Sequence, residues 1–390
     1  MKNKRGVTLI ALIITIVVLL ILAGVAFNTV LGDEGILGKA SEAAETSKRA
    51  EKNELDGLNN LEKEIDKWMS KTLEEKIADA GLPADTIGSL SDVVDGVPIP
   101  KSFYYVGGTR RTGIVISDKE EDYKKGDSHA VAANLVGNQF VWVPTKDLIE
   151  NGTIDGINYN QKFGRRLFGM SYSLGGTTKV SNKYTENIPS DLSSSVLKYG
   201  GFYIARYQAS YENFKLVSKK SKIAVETWSE PNGKLYNNVT QATAIAECSY
   251  MYNSGAKVVA HIPYGAEWDS TLQWLKQTVF NNTDMAIGED SKGWGNYKDA
   301  IFTYGANLTK VAGTSTIINT GDTEYSKKNN IYDIAGNLQE WTQEEILDTI
   351  TFTTIRSGAY NGNSAAATRI KWPATSTNSG IGFRPALYIK

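Results

Sequence analysis

The chain has 390 residues with 42 basic and 43 acidic side chains, a net charge of −1 that offers no electrostatic case for nucleic acid as a partner. Its length exceeds one ordinary core and calls for two or three units, and its 20 Tyr and 36 Gly favour strands and tight loops over a helix bundle. The lone Cys248 excludes an intrachain disulfide, so an extracellular fold would rest on its core alone.

In chain order, Lys2, Lys4 and Arg5 precede Val7 to Leu31, an uncharged run interrupted by Thr8, Thr15, Asn28 and Thr29. At 1.5 Å per residue, some 24 helical residues reach about 36 Å, enough for a hydrocarbon core of roughly 30 Å. The run predicts a single-pass membrane helix within residues 1–31. Its basic flank places the N-terminus in the cytoplasm and everything after Gly32 outside the cell membrane.

Lys4-Arg5-Gly6-Val7-Thr8-Leu9-Ile10 resembles a type IV prepilin leader. The resemblance implies cleavage between Gly6 and Val7 by a prepilin peptidase, methylation of the new N-terminus, and pilin-like assembly partners of a type IV pilus or type II secretion filament. The family usually carries Glu at the fifth mature residue, where this chain has Ala11. In the family that carboxylate pairs with a neighbouring subunit's amine inside the membrane, where water solvates neither charge. A plain signal anchor, or a conventional cleaved signal peptide, is the competing reading.

Gly32 to Gly38 interrupts the helix, and residues 39–80 resume it, so that 32–80 reads as an amphipathic stalk. Leu58, Leu61, Ile65, Trp68 and Met69 form one narrow apolar stripe at helical spacing. The pairs Glu45 with Arg49 and Glu64 with Lys67 add about 0.2 to 0.5 kcal/mol each. Residues 81–100, with Gly88, Gly96, Pro98 and Pro100, read as a linker. A globular head is expected over 101–390. Strands are predicted at 103–106, 113–116 and 140–143, and the polar stretch 144–198 reads as a long insertion within an N-terminal extension, 101–199.

From residue 200 onward the chain supplies motifs in a fixed order. Gly200 to Tyr207 reads as a strand and Asn238 to Tyr252 as a helix with Thr240 as N-cap. There follow His261-Ile-Pro-Tyr-Gly-Ala-Glu-Trp268, then Ile331-Tyr-Asp-Ile-Ala-Gly-Asn-Leu-Gln-Glu-Trp341, Ile355-Arg-Ser-Gly358 and Gly382-Phe-Arg-Pro-Ala-Leu387. Gly336 and Gly358 suit positions where a side chain would clash or φ is positive, and Trp341 and Phe383 are core anchors. This order resembles the formylglycine-generating-enzyme and sulfatase-modifying-factor family, a variant of the C-type lectin fold. The resemblance implies a loop-rich α+β domain over 200–390. His261 stands where that family has Arg, and Gly265 where it has Glu.

The family's oxidase activity needs two cysteines near the C-terminal end to bind copper. None follows Cys248, which falls in a predicted helix and reads as a small hydrophobe. His129 and His261 match no zinc-ligand spacing. Asp333, Glu340 and Glu344 could form a carboxylate pair, but carboxylates beside a turn such as Gly336-Asn337 more often accept loop amides. Asp322, Asn329 and Asp333 could offer oxygens to calcium, without a spaced loop pattern behind them. No catalytic residue and no cofactor is therefore expected, with calcium left open as the one alternative.

Binding remains. The segment between Gly358 and Gly382 mixes rigid aromatics with small polar groups, as binding surfaces do, although any exposed loop is rich in Asn, Ser and Gly. Tyr360, Asn361, Asn363, Arg369, Lys371 and Trp372 are its candidate contacts. In variable proteins of diversity-generating retroelements, which have this fold and a similar ending, the corresponding place is the ligand surface. The expectation is a membrane-anchored display protein: a transmembrane pilin-like helix, a stalk, and a C-type-lectin-like head binding a glycan or protein. The alternative is a minor pilin or pseudopilin with a structural role in a filament.

Overall fold

The apolar run and the charged segment after it form two helices, α1 (Leu9–Leu31) and α2 (Ile36–Met69). In this computed structural model the described residues are 9–31, 36–126, 135–145, 153–154, 157–158, 170–173, 176–179, 184–221, 234–281, 285–346 and 352–390. The expected cleavage site at Gly6 and Val7 and much of the insertion at 144–198 lie outside them. The chain divides into two units, Met1–Lys71 and Thr72–Lys390. Within α1 the side chains of Leu12–Phe27 are exposed. Among the described residues no helix is long and apolar enough to cross a membrane. In α2, Leu55, Leu58 and Leu61 are exposed.

The helix expected over residues 32–80 is not continuous. Helix α2 stops at Met69, and a new helix, α3 (Leu73–Asp79), starts on a capping box. Thr72 Oγ1 accepts the Glu75 N–H at 3.3 Å, and the Thr72 N–H donates to Glu75 Oε2 at 2.7 Å. The supposed linker at 81–100 is a β-hairpin of the second unit, β1 (Leu90–Val94) with β2 (Val97–Pro100). Asp95 (φ 51°) and Gly96 (φ 71°) form its turn, the Asp-Gly pair that hairpins favour. Ile77 of α3 is buried with Leu90, Val93, Val97 and Ile99, and Lys76 pairs with Asp92 at 2.9 Å.

The head is built on a six-stranded sheet. In chain order its strands are β3 (Tyr104–Gly107), β4 (Val115–Ser117), β5 (Gln139–Pro144), then β9 (Gly201–Ala205), β10 (Val258–His261) and β15 (Ala386–Ile389). Their spatial order is β10-β15-β9-β5-β4-β3, with every neighbouring pair antiparallel. Both faces are covered, which is why β5 and β9 are buried at every position. Val141, Val143, Phe202 and Ile204 face a core shared with Leu192 and Val196 of α4 (Ser190–Tyr199) and with Trp268, Leu272 and Leu275 of α6 (Gly265–Thr278). Phe140, Trp142, Tyr203 and Ala205 face the core shared with α3 and its hairpin.

A seven-stranded sheet carries the C-terminal motifs. It contains β6 (Met170–Ser173), β7 (Gly176–Lys179), β8 (Tyr184–Thr185), β11 (Gln339–Ile346), β12 (Phe352–Arg356) and β13 (Arg369–Trp372) in the order β8-β11-β12-β13-β6-β7, with β14 (Ile381–Gly382) parallel to β11. Trp341, Ile355, Ile381 and Phe383 are fully buried in a third core with Ala244 and Cys248 of α5 (Gln241–Tyr250). The Trp341 indole donates to the Val239 carbonyl at 2.9 Å. Thr240 caps α5 through the Thr243 N–H at 3.2 Å. Gly336 has φ 77°, and a Cβ there would lie 2.4 Å from the Asn296 carbonyl oxygen.

Candidate functional site

The three carboxylates considered for catalysis are all committed to holding the fold. Glu340 receives Arg384 Nε at 2.6 Å and Arg384 Nη2 at 2.6 Å, with Gln208 Nε2 donating to the same carboxylate at 2.8 Å. Arg384 also reaches the carbonyls of Tyr332 and Asp333. Asp333 accepts from Thr320 Oγ1 at 2.7 Å, and burial pushes its pKa up. Asn337 ties Gln208 to Ile318 by donating to the Gln208 side chain and accepting from the Ile318 N–H. The turn motif is thus the hub of a buried polar network, each member satisfying another.

Glu344 belongs to a second buried group. Arg369 Nε donates to Glu344 Oε2 at 2.9 Å and Arg369 Nη2 to Asp269, while Arg356 Nη2 donates to Asp269 Oδ1 at 2.8 Å. Arg356 Nη1 lies 3.6 Å from Glu344, and all four side chains are fully buried. A Cβ on Gly265 would lie 2.6 Å from the Glu344 carboxylate, so this helix start excludes the Glu of the resembled motif. His261, at the family's Arg position, pairs through Nε2 with the buried Glu267 at 2.8 Å.

Arg369 is therefore not a surface contact. Its side chain is fully buried because β13 turns that position toward Asp269 and Glu344. The other five candidates separate into two places. Lys371 and Trp372 lie on β13: the Lys371 ammonium sits 3.8 Å from the Phe352 ring centroid, and Trp372 is half-buried against the third core. Tyr360, Asn361 and Asn363 lie on the loop after β12, Tyr360 half-buried and the two asparagines exposed.

That loop tip is held on a platform the sequence did not reveal. Asn363 Nδ2 donates to Asp299, and the Asp299 N–H donates back to Asn363 Oδ1 at 3.2 Å. The Lys298 N–H donates to the Gly362 carbonyl at 2.9 Å, and the Tyr360 N–H to the Asn337 carbonyl at 3.0 Å. Below, Lys310 inserts its ammonium among the carbonyls of Tyr297, Lys298 and Ala300 at 2.6, 2.9 and 3.2 Å. Desolvation lowers the Lys310 pKa, against the pull of Asp299. Behind the tip, Trp268 Nε1 donates to the Ala366 carbonyl at 3.0 Å, and Arg356 to the carbonyls of Ala367 and Thr368. A short exposed segment is thus clamped at both ends, with exposed Lys298 and Asp299 beside it. A lone Lys in a polar hairpin gives no sequence signal of such a role.

The residues considered for calcium hold separate partners: Asp322 with Lys220 at 3.4 Å, Asn329 with Thr278 at 2.6 Å, and Asp333 with Thr320. Among the described residues no three His, Cys, Asp or Glu side chains gather as a metal site. Cys248 is fully buried in α5, and burial raises its thiol pKa.

Residues 1–27 match the prokaryotic N-terminal methylation motif. No curated protein matches the chain in sequence. Among solved structures the chain is similar to CarF, with 17% identity and a TM-score of 0.36 over 49% of this chain and 87% of that one. It is also similar to Treponema denticola variable protein 1, with 15% identity and a TM-score of 0.29 over 53% of this chain and 99% of that one. At such scores neither structural likeness bears on function.

Proposed function

We propose that this protein is a membrane-tethered display protein whose head binds a glycan or protein through the loop tip at Tyr360, Asn361 and Asn363. The observation behind this reading is the platform: an exposed segment fixed by Asp299, Lys298 and the buried Lys310 ammonium. A surface ordered before binding loses less entropy on association. Tyr360 supplies rigid aromatic area and the asparagines supply adaptable hydrogen bonds. Lys371 and Trp372 form a separate flank. The motif at residues 1–27 supports a membrane or pilus association and processing by a prepilin peptidase, and we take the uncharged run from Val7 to Leu31 as the crossing segment. The head is read as C-type-lectin-like because its motifs fall in the family's order on β9, α5, β11, β12 and the segment into β15.

The test is a binding screen with the full chain in detergent against glycans and cell surfaces. Substitution at Tyr360 and Asn361 should remove the signal and leave melting unchanged. A filament subunit is the second reading, favoured by the same N-terminal motif. Recovery of the chain in sheared pilus fractions, with no binding in the screen, would select it.

A further inference from the structure

Beside the clamped tip stands a two-stranded hairpin whose outer edge carries no guard. Phe302–Tyr304 pairs antiparallel with Leu308–Lys310, Thr303 opposite Thr309. Phe302 and Lys310 are buried, and Lys310 is the ammonium beneath the tip. Ile301 and Val311, next along each chain, are 63% and 53% exposed, and by strand alternation the exposed Thr303 and Thr309 share their face. Both ends of the hairpin run into the platform. Ile301 lies two residues after Asp299, and Val311 two residues before Gly313, whose N–H donates to Asp299 Oδ1 at 3.2 Å. Two residues span at most about 8 Å, so this face adjoins the groups that hold Tyr360, Asn361 and Asn363.

The two edges of the hairpin differ. On one side the Thr303 carbonyl accepts from Thr323 Oγ1 at 2.8 Å, and the Gly305 N–H donates to the Asp322 carbonyl at 3.0 Å. Thr303 thus turns its backbone groups away from its partner strand, and in an antiparallel pair the residue opposite does likewise. Thr309 therefore aims its N–H and C=O outward, along an edge that no strand pairs among the described residues. Proteins ordinarily blunt such an edge with charge, proline or a covering element. From Ala300 to Ile318 the sequence has no proline and no charge except Lys310, which is buried. An open backbone edge beside an aliphatic face is complementary to another main chain, which brings hydrogen-bonding groups and alternating side chains together. Sugar hydroxyls laid on Ile301 and Val311 would lose water and gain no partner. The carboxylate and amide that could receive them already hold each other: Asp299 Oδ2 accepts from Asn363 Nδ2, Asp299 Oδ1 from Gly313, and Asn363 Oδ1 from the Asp299 N–H. We propose that the ligand at the tip is a protein, which adds an extended segment along the Leu308–Lys310 edge. The proposal rests on the reading of the tip as the binding surface and selects protein over glycan within it.

The test presents the full chain in detergent, in parallel, to a library of short linear peptides and to a glycan array. Peptides with alternating apolar residues should bind, and glycans should not. Thr309→Pro, Val311→Glu and Tyr360→Ala should each weaken peptide binding by on the order of tenfold. Melting should be unchanged in all three, because an outward N–H is not needed by the hairpin and the other two side chains lie at the surface. N-methylation of the bound peptide at alternate residues should abolish binding, and at the intervening residues should not, the pattern that main-chain pairing gives. Should a variant melt lower, that pattern decides, since it leaves the protein untouched. Glycan binding that Tyr360→Ala removes would overturn the proposal and keep the tip. Peptide binding indifferent to Tyr360→Ala would sink the tip and the proposal with it. Peptide binding lost in Tyr360→Ala but indifferent to Thr309→Pro and to N-methylation, self-association of the chain through Val311, or no bound peptide would overturn the proposal alone.

Discussion

Arg369 and Tyr360 come from one loop region and do opposite work. Arg369 is enclosed with Asp269 and Glu344, so truncating it leaves carboxylates buried with less compensation, a loss of about 3 to 5 kcal/mol for a broken buried pair. Against a total stability of roughly 5 to 15 kcal/mol this is severe. Arg369→Ala should therefore shift the urea midpoint strongly downward, and an unchanged midpoint would contradict its place in the fold. Tyr360→Ala should leave that midpoint alone. Asp333 gives a pH signature. Burial raises its folded pKa above the ordinary 3.8, so between the two values the folded state holds the extra proton, and stability falls as pH rises through that window. Asp333→Asn removes this dependence. The stability of the variant relative to the parent should increase as pH rises above 3.8, and a pH-independent difference in urea titrations would refute the assignment.

At the scale of elements, the sequence is legible where the signal is local. Thr240 opens α5 as its capping chemistry indicates, the strand read at 200–207 becomes β9 over Gly201–Ala205, and Gly336 sits at positive φ against Asn296. The hairpin at 90–100 was also local, since Asp95-Gly96 is a strong turn pair, but Pro98 and Pro100 beside it read as a linker. Only packing against Ile77 makes that segment part of the head. Long-range pairing was not legible. Nothing near Arg369 announces Asp269, a hundred residues away, and nothing near Lys310 announces the carbonyls of Tyr297, Lys298 and Ala300. Residue types alone put Tyr360, Asn361 and Asn363 forward, while the platform beneath them and the burial of Arg369 needed the fold.

At the scale of the whole molecule, the chain has two units: an N-terminal helical part bearing the methylation motif and a head of mixed helix and sheet. The motif leads to a covalent prediction. The mature protein should begin at Val7, with a methylated amine, when its membrane-extracted N-terminus is analysed by mass spectrometry. An intact Met1 or a cut near Ala26 would contradict processing by a prepilin peptidase.

The proposed ligand contact is the clamped tip at 360–363. Its most direct test is parallel titration and melting of Tyr360→Ala against a ligand recovered from glycan or cell-surface screening. Truncating a central aromatic anchor costs about 2 kcal/mol or more, roughly 30-fold in affinity. That loss is expected together with an unchanged melting curve. Unchanged affinity, or affinity and stability lost together, would contradict it.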